Sequence, residues 1–139
     1  MAPQLYIIVY KGDPVDLQST RHTALFISEN NQATGDLLDL GGAAGFFAFE
    51  RVENTNPTQG RTFVKKIPVG PILKGPTKQQ LTTKIAATPI NNTTRSWNCH
   101  TWIGDALGRV VAENWISSQT KSSAISSMAG VIVEAADEE

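Results

Sequence analysis

Apolar and polar positions change rhythm once along the chain. The first half alternates in short runs. Residues 4–10, "QLYIIVY", are β-branched and aromatic and end at "KGDP", which predicts a buried strand. In "HTALFIS", residues 22–28, His22, Ala24, Phe26 and Ser28 point one way and Thr23, Leu25 and Ile27 the other. "ENNQATGD" is turn chemistry, and "DLLDL" at 36–40 is a short strand ended by Gly41 and Gly42. "GFFAFERVE" at 45–53 and "TFVKKIPVG" at 62–70 flank the turn "NTNPTQGR", so the pattern predicts that these two strands form a hairpin with a longer loop.

Beyond Pro71 the period becomes helical. Thr77 is a suitable N-cap, Leu81 and Ile85 share a face, and Pro89 stops the segment. A stronger helix starts after Asn98, with Ile103, Leu107, Val110 and Val111 on one stripe that Ala106 widens. Residues 122–135 predict a last helix with Ile125, Met128, Ala129 and Ile132 on one face. Strands followed by helices argue for an α+β fold, an antiparallel sheet packed on C-terminal helices.

The 139 residues suit a single domain, 1–139, around one core. Composition is that of an ordinary globular protein, 40% hydrophobic and 18% charged. A formal net charge of −1 with scattered Lys and Arg implies no nucleic acid partner. The opening residues lack a basic leader and a small-residue cleavage site, and no apolar run approaches the ~18–20 residues of a membrane span. One cysteine excludes an internal disulfide framework and fits a reducing, cytoplasmic setting. The sequons at Asn91 and Asn92 then carry no expected modification. Nothing in the sequence specifies an oligomeric state.

The candidate chemistry sits in "SWNCHTWIGDAL", residues 96–107. With Asn98 as cap, Cys99 falls in the first turn of a helix, where the helix N-terminus lowers a thiol pKa and backbone N–H groups can stabilise an oxyanion. A thiolate nucleophile needs a base. His100 is adjacent, but successive helical side chains diverge by ~100°, which makes it a poor partner. His22, at the start of a strand, is the better candidate. Asp39 is the candidate to orient that histidine: if the two strands pair across "ENNQATG", His22 and Asp39 lie roughly opposite each other, with Asp36 as the fallback nearer the turn. His100 reads as a residue that stands behind the site or faces solvent, or as one that covers the site. Trp97 and Trp102 flank the site as packing residues or as walls of a substrate pocket, so all three are carried as candidate substrate contacts. Cys99, His100 and His22 are too few for a structural zinc, and no other cofactor is implied. "GGAAGFF" lacks the context of a phosphate loop.

The three motifs resemble the circularly permuted papain-like superfamily, in which histidine precedes cysteine. "HTALFI" is similar to the "HWAxYV" pattern of that superfamily, "GDLLDL" to "GYVIHL", and "NCHTW" to "NCEHF". The lecithin:retinol acyltransferase-like and PPPDE-type branches carry this order, and the NlpC-type peptidases share the fold unpermuted. The combination with "GFFAFE" and "KIPVG" resembles a fungal branch. The resemblance implies a permuted papain-like fold with Cys99 as nucleophile, His22 as base and Asp39 as the orienting group, where the acyltransferase branch has histidine. It leaves residues 41–94 uncovered.

The expectation is a small soluble cysteine hydrolase or acyltransferase that acts on an amide, ester or thioester of a small-molecule, peptide or acyl substrate through an acyl-enzyme. Two further classes stand beside it: a non-catalytic binding module on the same fold, and a biosynthetic transferase or cyclase acting on a small metabolite.

Overall fold

The computed structural model describes residues 3–12, 15–30, 32–42, 45–94 and 96–135. Five strands come first: β1 (Pro3–Tyr10), β2 (His22–Glu29), β3 (Gly35–Gly41), β4 (Ala48–Thr55) and β5 (Phe63–Pro68). Three helices follow: α1 (Lys78–Ala86), α2 (Cys99–Ala112) and α3 (Ser118–Ile132). The architecture is α+β, with the strands in one antiparallel sheet in the order β4-β3-β2-β1-β5.

Alternation along the central strands sets the layers. Leu5, Ile7 and Val9 of β1 and Leu25 and Ile27 of β2 face the helices, joined by Leu38, Leu40 and Ile67. Against them pack Leu81 and Ile85 of α1, Trp102, Ile103, Ala106, Leu107 and Val110 of α2, and Ala124, Met128 and Val131 of α3. A continuous face of fully buried aliphatic side chains is the main stabilising term, each worth ~1.5–3 kcal/mol on burial. On the opposite face Ile8, Ala24 and Phe26 are also fully buried. Tyr6 lies against Phe26, and the Lys66 ammonium sits over both rings.

One expected pairing is corrected. β4 and β5 do not form a hairpin; they lie at opposite edges of the sheet. β4 instead turns back onto β3, with Leu40 opposite Phe49 and Asp39 opposite Glu50, and β5 pairs with β1. The chain between them therefore crosses the sheet. It does so through a short 3-10 turn, Pro57–Gln59, capped by the side chain of Asn56, with Pro57 buried and the Tyr10 ring against Gly60. Local alternation reports a strand but not its partner. Here Glu50, Arg51 and Glu53 on β4 and Lys65 and Lys66 on β5 suit two separate edges, where charge discourages further pairing.

Helix starts follow their caps. The Thr77 side chain accepts from the Gln80 N–H, and Gln80 returns the bond in a capping box. α3 begins at Ser118, four residues before the expected start, because the Ser117 side chain accepts from the Thr120 N–H and caps it there. Among the described residues no helix is long and apolar enough to cross a membrane.

Candidate functional site

Cys99 opens α2 and His22 opens β2, so both stand at the ends of elements that pack together. Asn98 has an extended backbone, and its Oδ1 accepts from the N–H groups of His100 (3.0 Å) and Thr101 (3.3 Å). Two of the free N–H groups of the helix start are thus taken, and the Trp102 N–H bonds to the Asn98 carbonyl at 3.0 Å. Among the described residues, the Cys99 N–H is the one left at this terminus to face a ligand.

On the sheet, His22 and Asp39 point out from the same face. Leu25 pairs with Leu38, so Asp39 lies diagonal to His22 and not directly opposite. The imidazole spans that diagonal: Nε2 donates to Asp39 Oδ2 at 2.8 Å. Its carboxylate partner accepts only, so Nε2 carries a proton and Nδ1 is left for the thiol. Asp36, the fallback, is corrected. It faces the helices, buried, and binds Arg51 (3.0 Å) and Lys78 (3.2 Å) in a structural ion cluster.

The titration of these groups follows from their contacts. Burial pushes the Cys99 thiol up, but the neighbouring imidazoles of His100 and His22 outweigh it and pull the thiol down to about 5. Burial pushes His22 down, but its bond to Asp39 and the neighbouring Cys99 thiol carry it up to about 10. Between those values the favoured state is a thiolate beside an imidazolium. Tyr10, directly across from His22 on β1, lays its ring on the imidazole with centroids 6.0 Å apart and planes 28° apart. Burial and the Asp39 charge push its hydroxyl up to about 12, so it stays neutral.

The remaining candidates divide. His100 is not turned to solvent: its imidazole is half-buried and its charge acts on the Cys99 thiol. Divergence of backbone directions does not prevent a long side chain from turning back when something anchors its far end. Here Nε2 donates to the Arg21 carbonyl at 2.6 Å. Neither tryptophan forms an open wall. Trp102 is fully buried beside Phe49. Trp97 is 8% exposed, donates Nε1–H to Asp105 at 3.2 Å and meets Phe47 edge-on. Both hold the start of α2 against the sheet.

Two residues that the sequence pattern did not single out support the site. One is Tyr10, which only strand pairing reveals. The other is Arg21, buried, with a bidentate pair to Asp16 (both 3.0 Å) and a bond to the Val131 carbonyl at 2.7 Å. Its place immediately before His22 was the available signal.

A polar groove of about 390 Å³ reaches His22 and Asp39 and is bordered by Lys11, Thr20, Gly42 and Glu50. Gly41 leaves the space that the Glu50 carboxylate fills; a Cβ there would stand 2.1 Å from Glu50 Oε2. A larger groove of about 520 Å³ runs between Tyr10 and Leu37 and the crossover at Asn54, Pro57 and Gly60, away from Cys99. Among the described residues there is no cluster of three His, Cys, Asp or Glu side chains suited to a metal. The glycine-rich segment after β3 lies partly outside the described residues.

A family model described as a family of unknown function (DUF6540) matches residues 5–117, a span that runs from within β1 through α2 and holds every residue of the site. No curated protein and no solved structure matches the chain.

Proposed function

We propose that this chain, which belongs to the DUF6540 family, is a small cysteine-dependent hydrolase or acyltransferase working through Cys99, His22 and Asp39. The observation that carries the reading is the oriented imidazole. His22 bonds an acceptor-only carboxylate at 2.8 Å, and the nearby Cys99 thiol and this imidazole each favour the charged form of the other. A packing cysteine has no need of an oriented imidazole or of a thiol drawn down to about 5. The order of a histidine strand before a cysteine helix supports a permuted papain-like arrangement of the α+β fold.

In the mechanism, the thiol S–H bond breaks, its electron pair stays on sulfur and the proton moves to His22 Nδ1. The thiolate attacks the acyl carbon; a C–S bond forms and the carbonyl π pair moves to oxygen. The Cys99 N–H, at the positive end of α2, donates to that oxyanion. Collapse breaks the bond to the leaving group, which takes the His22 proton. Water or an amine then attacks the thioester, His22 accepts its proton, and the thiolate leaves. Asp39 holds Nε2–H throughout, which fixes the tautomer and stabilises the imidazolium.

The test is acylation by p-nitrophenyl acetate together with labelling by iodoacetamide near pH 6. The full chain should label rapidly and release a burst of nitrophenolate, and Cys99→Ala should do neither while keeping its fold. A chain that is inert in both assays would instead be a binding module.

A further inference from the structure

Two imidazoles act on the Cys99 thiol, and each is anchored through Nε2. His22 is held through Nε2 by the Asp39 carboxylate, and His100 through Nε2 by the Arg21 carbonyl at 2.6 Å. A carbonyl only accepts, so His100 Nε2 also carries a proton and Nδ1 is the atom left for the thiol. The anchor is firm. Arg21 is buried, its guanidinium is locked by Asp16 and by the Val131 carbonyl of α3, and its backbone leads directly into His22. The His100 backbone is fixed as well, its N–H bonded to the Asn98 cap.

Resting on the thiol-enzyme reading, we propose that His100 is a second catalytic residue that holds the Cys99 sulfur as thiolate, while His22 alone moves protons to and from the reacting groups. The site is then a line of alternating charge: Asp39 carboxylate, His22 imidazolium, Cys99 thiolate, His100 imidazolium, ending on the neutral Arg21 carbonyl. His100 takes its proton from solvent and donates Nδ1–H to sulfur; no bond to carbon forms or breaks there. Two cations offset two anions, so the half-buried cluster carries no net charge. Partly desolvated charges of this kind are favoured when paired. The other charged groups near His100 do not break the balance. The Arg21 guanidinium is turned toward Asp16 and also feels Glu134 beyond α3, and Tyr10 stays neutral. Contact with Cys99 and the bond to Arg21 favour protonated His100, while burial and the charge of His22 oppose it.

The division of labour gives each imidazole its own signature. His100→Gln keeps an amide donor for the Arg21 carbonyl and removes the charge; His100→Asn is the second variant should the first fail to fold, with circular dichroism as the check. Iodoacetamide labelling of the full chain is followed against pH. In His100→Gln, half-maximal labelling should move up by about 1 unit or more, the effect of one nearby opposite charge. Its p-nitrophenyl acetate burst should be lost near pH 6 and rise steeply as the pH approaches the ordinary thiol range, whereas the burst of the natural chain is already complete near pH 6. His22→Gln should still label below the ordinary thiol range, because His100 remains, but should stall as the acyl-enzyme. Labelling of His100→Gln with an unchanged pH profile overturns the proposal and leaves the His22 reading intact. A natural chain that labels only in the ordinary thiol range overturns both.

Discussion

The carboxylate of Asp39 stands 2.8 Å from His22 Nε2, one diagonal step away on the neighbouring strand. In Asp39→Asn, the amide oxygen can still accept the hydrogen bond, but the negative charge is gone. His22 should lose part of its upward shift, and the amide can also present its NH2 group to Nε2 and favour the wrong tautomer. We expect p-nitrophenyl acetate turnover to fall by about 100-fold or more, the scale of lost general-base function. Labelling of Cys99 by iodoacetamide should survive near neutrality. A loss of less than about threefold would remove Asp39 from the mechanism.

Stability should respond to pH through the same groups. Cys99 is lowered in the fold, so its contribution is complete above the ordinary thiol value of 9.0 and is lost as pH falls through about 5. His22 is raised, so its contribution is complete below 6.5 and is lost as pH rises through about 10. Their joint effect is greatest between the two ordinary values. Thermal melts of Cys99→Ala against the natural chain should differ most in that window and converge toward pH 5 and below. A difference that does not vary with pH would deny the ion pair.

The Asn98 cap permits a contrast between two substitutions. Asn98→Ala leaves the His100 and Thr101 N–H groups without their acceptor and should cost ~1 kcal/mol, seen as a lower melting temperature. Asn98→Asp restores the cap but sets a negative charge beside Cys99. Its stability should be near that of the natural chain, while labelling of Cys99 at pH 6 slows. Equal labelling rates in Asn98→Asp and the natural chain would contradict a thiolate at this helix start.

Asp36 should matter to the fold and not to the site. Its side chain is 2% exposed, whereas those of Arg51 and Lys78 are 31% and 27% exposed and can turn toward water once it is gone. Asp36→Asn should therefore cost ~1–3 kcal/mol in urea unfolding. The pH profile of Cys99 labelling should not move.

Segments with a strong period or a cap were legible in the sequence. β1, β2 and the start of α2 follow from alternation and from Asn98, and Cys99, His22 and Asp39 could be named before any coordinates. What local pattern does not carry is which surfaces meet. β4 and β5 are neighbours in sequence and lie at opposite edges of the sheet, because pairing is decided by long-range packing. The expected roles of Trp97, Trp102 and His100 rested on their closeness to Cys99 in the chain. Burial removed the tryptophans from the surface. A distant carbonyl, that of Arg21, drew His100 into the site.

The crossover from β4 to β5 has a consequence for where the molecule yields. Chain lies over part of one face of the sheet and helices over the other, so the strand that carries His22 is buried along all but its ends. Its amides should be the slowest in the molecule to exchange with deuterium. Cys99 stands at the margin of that block, on the end of a helix that Trp97 and Trp102 hold against the sheet. The placement of sulfur beside the imidazole is then set by how one helix docks on the sheet, so substitutions in that contact should change reactivity before they change strand pairing.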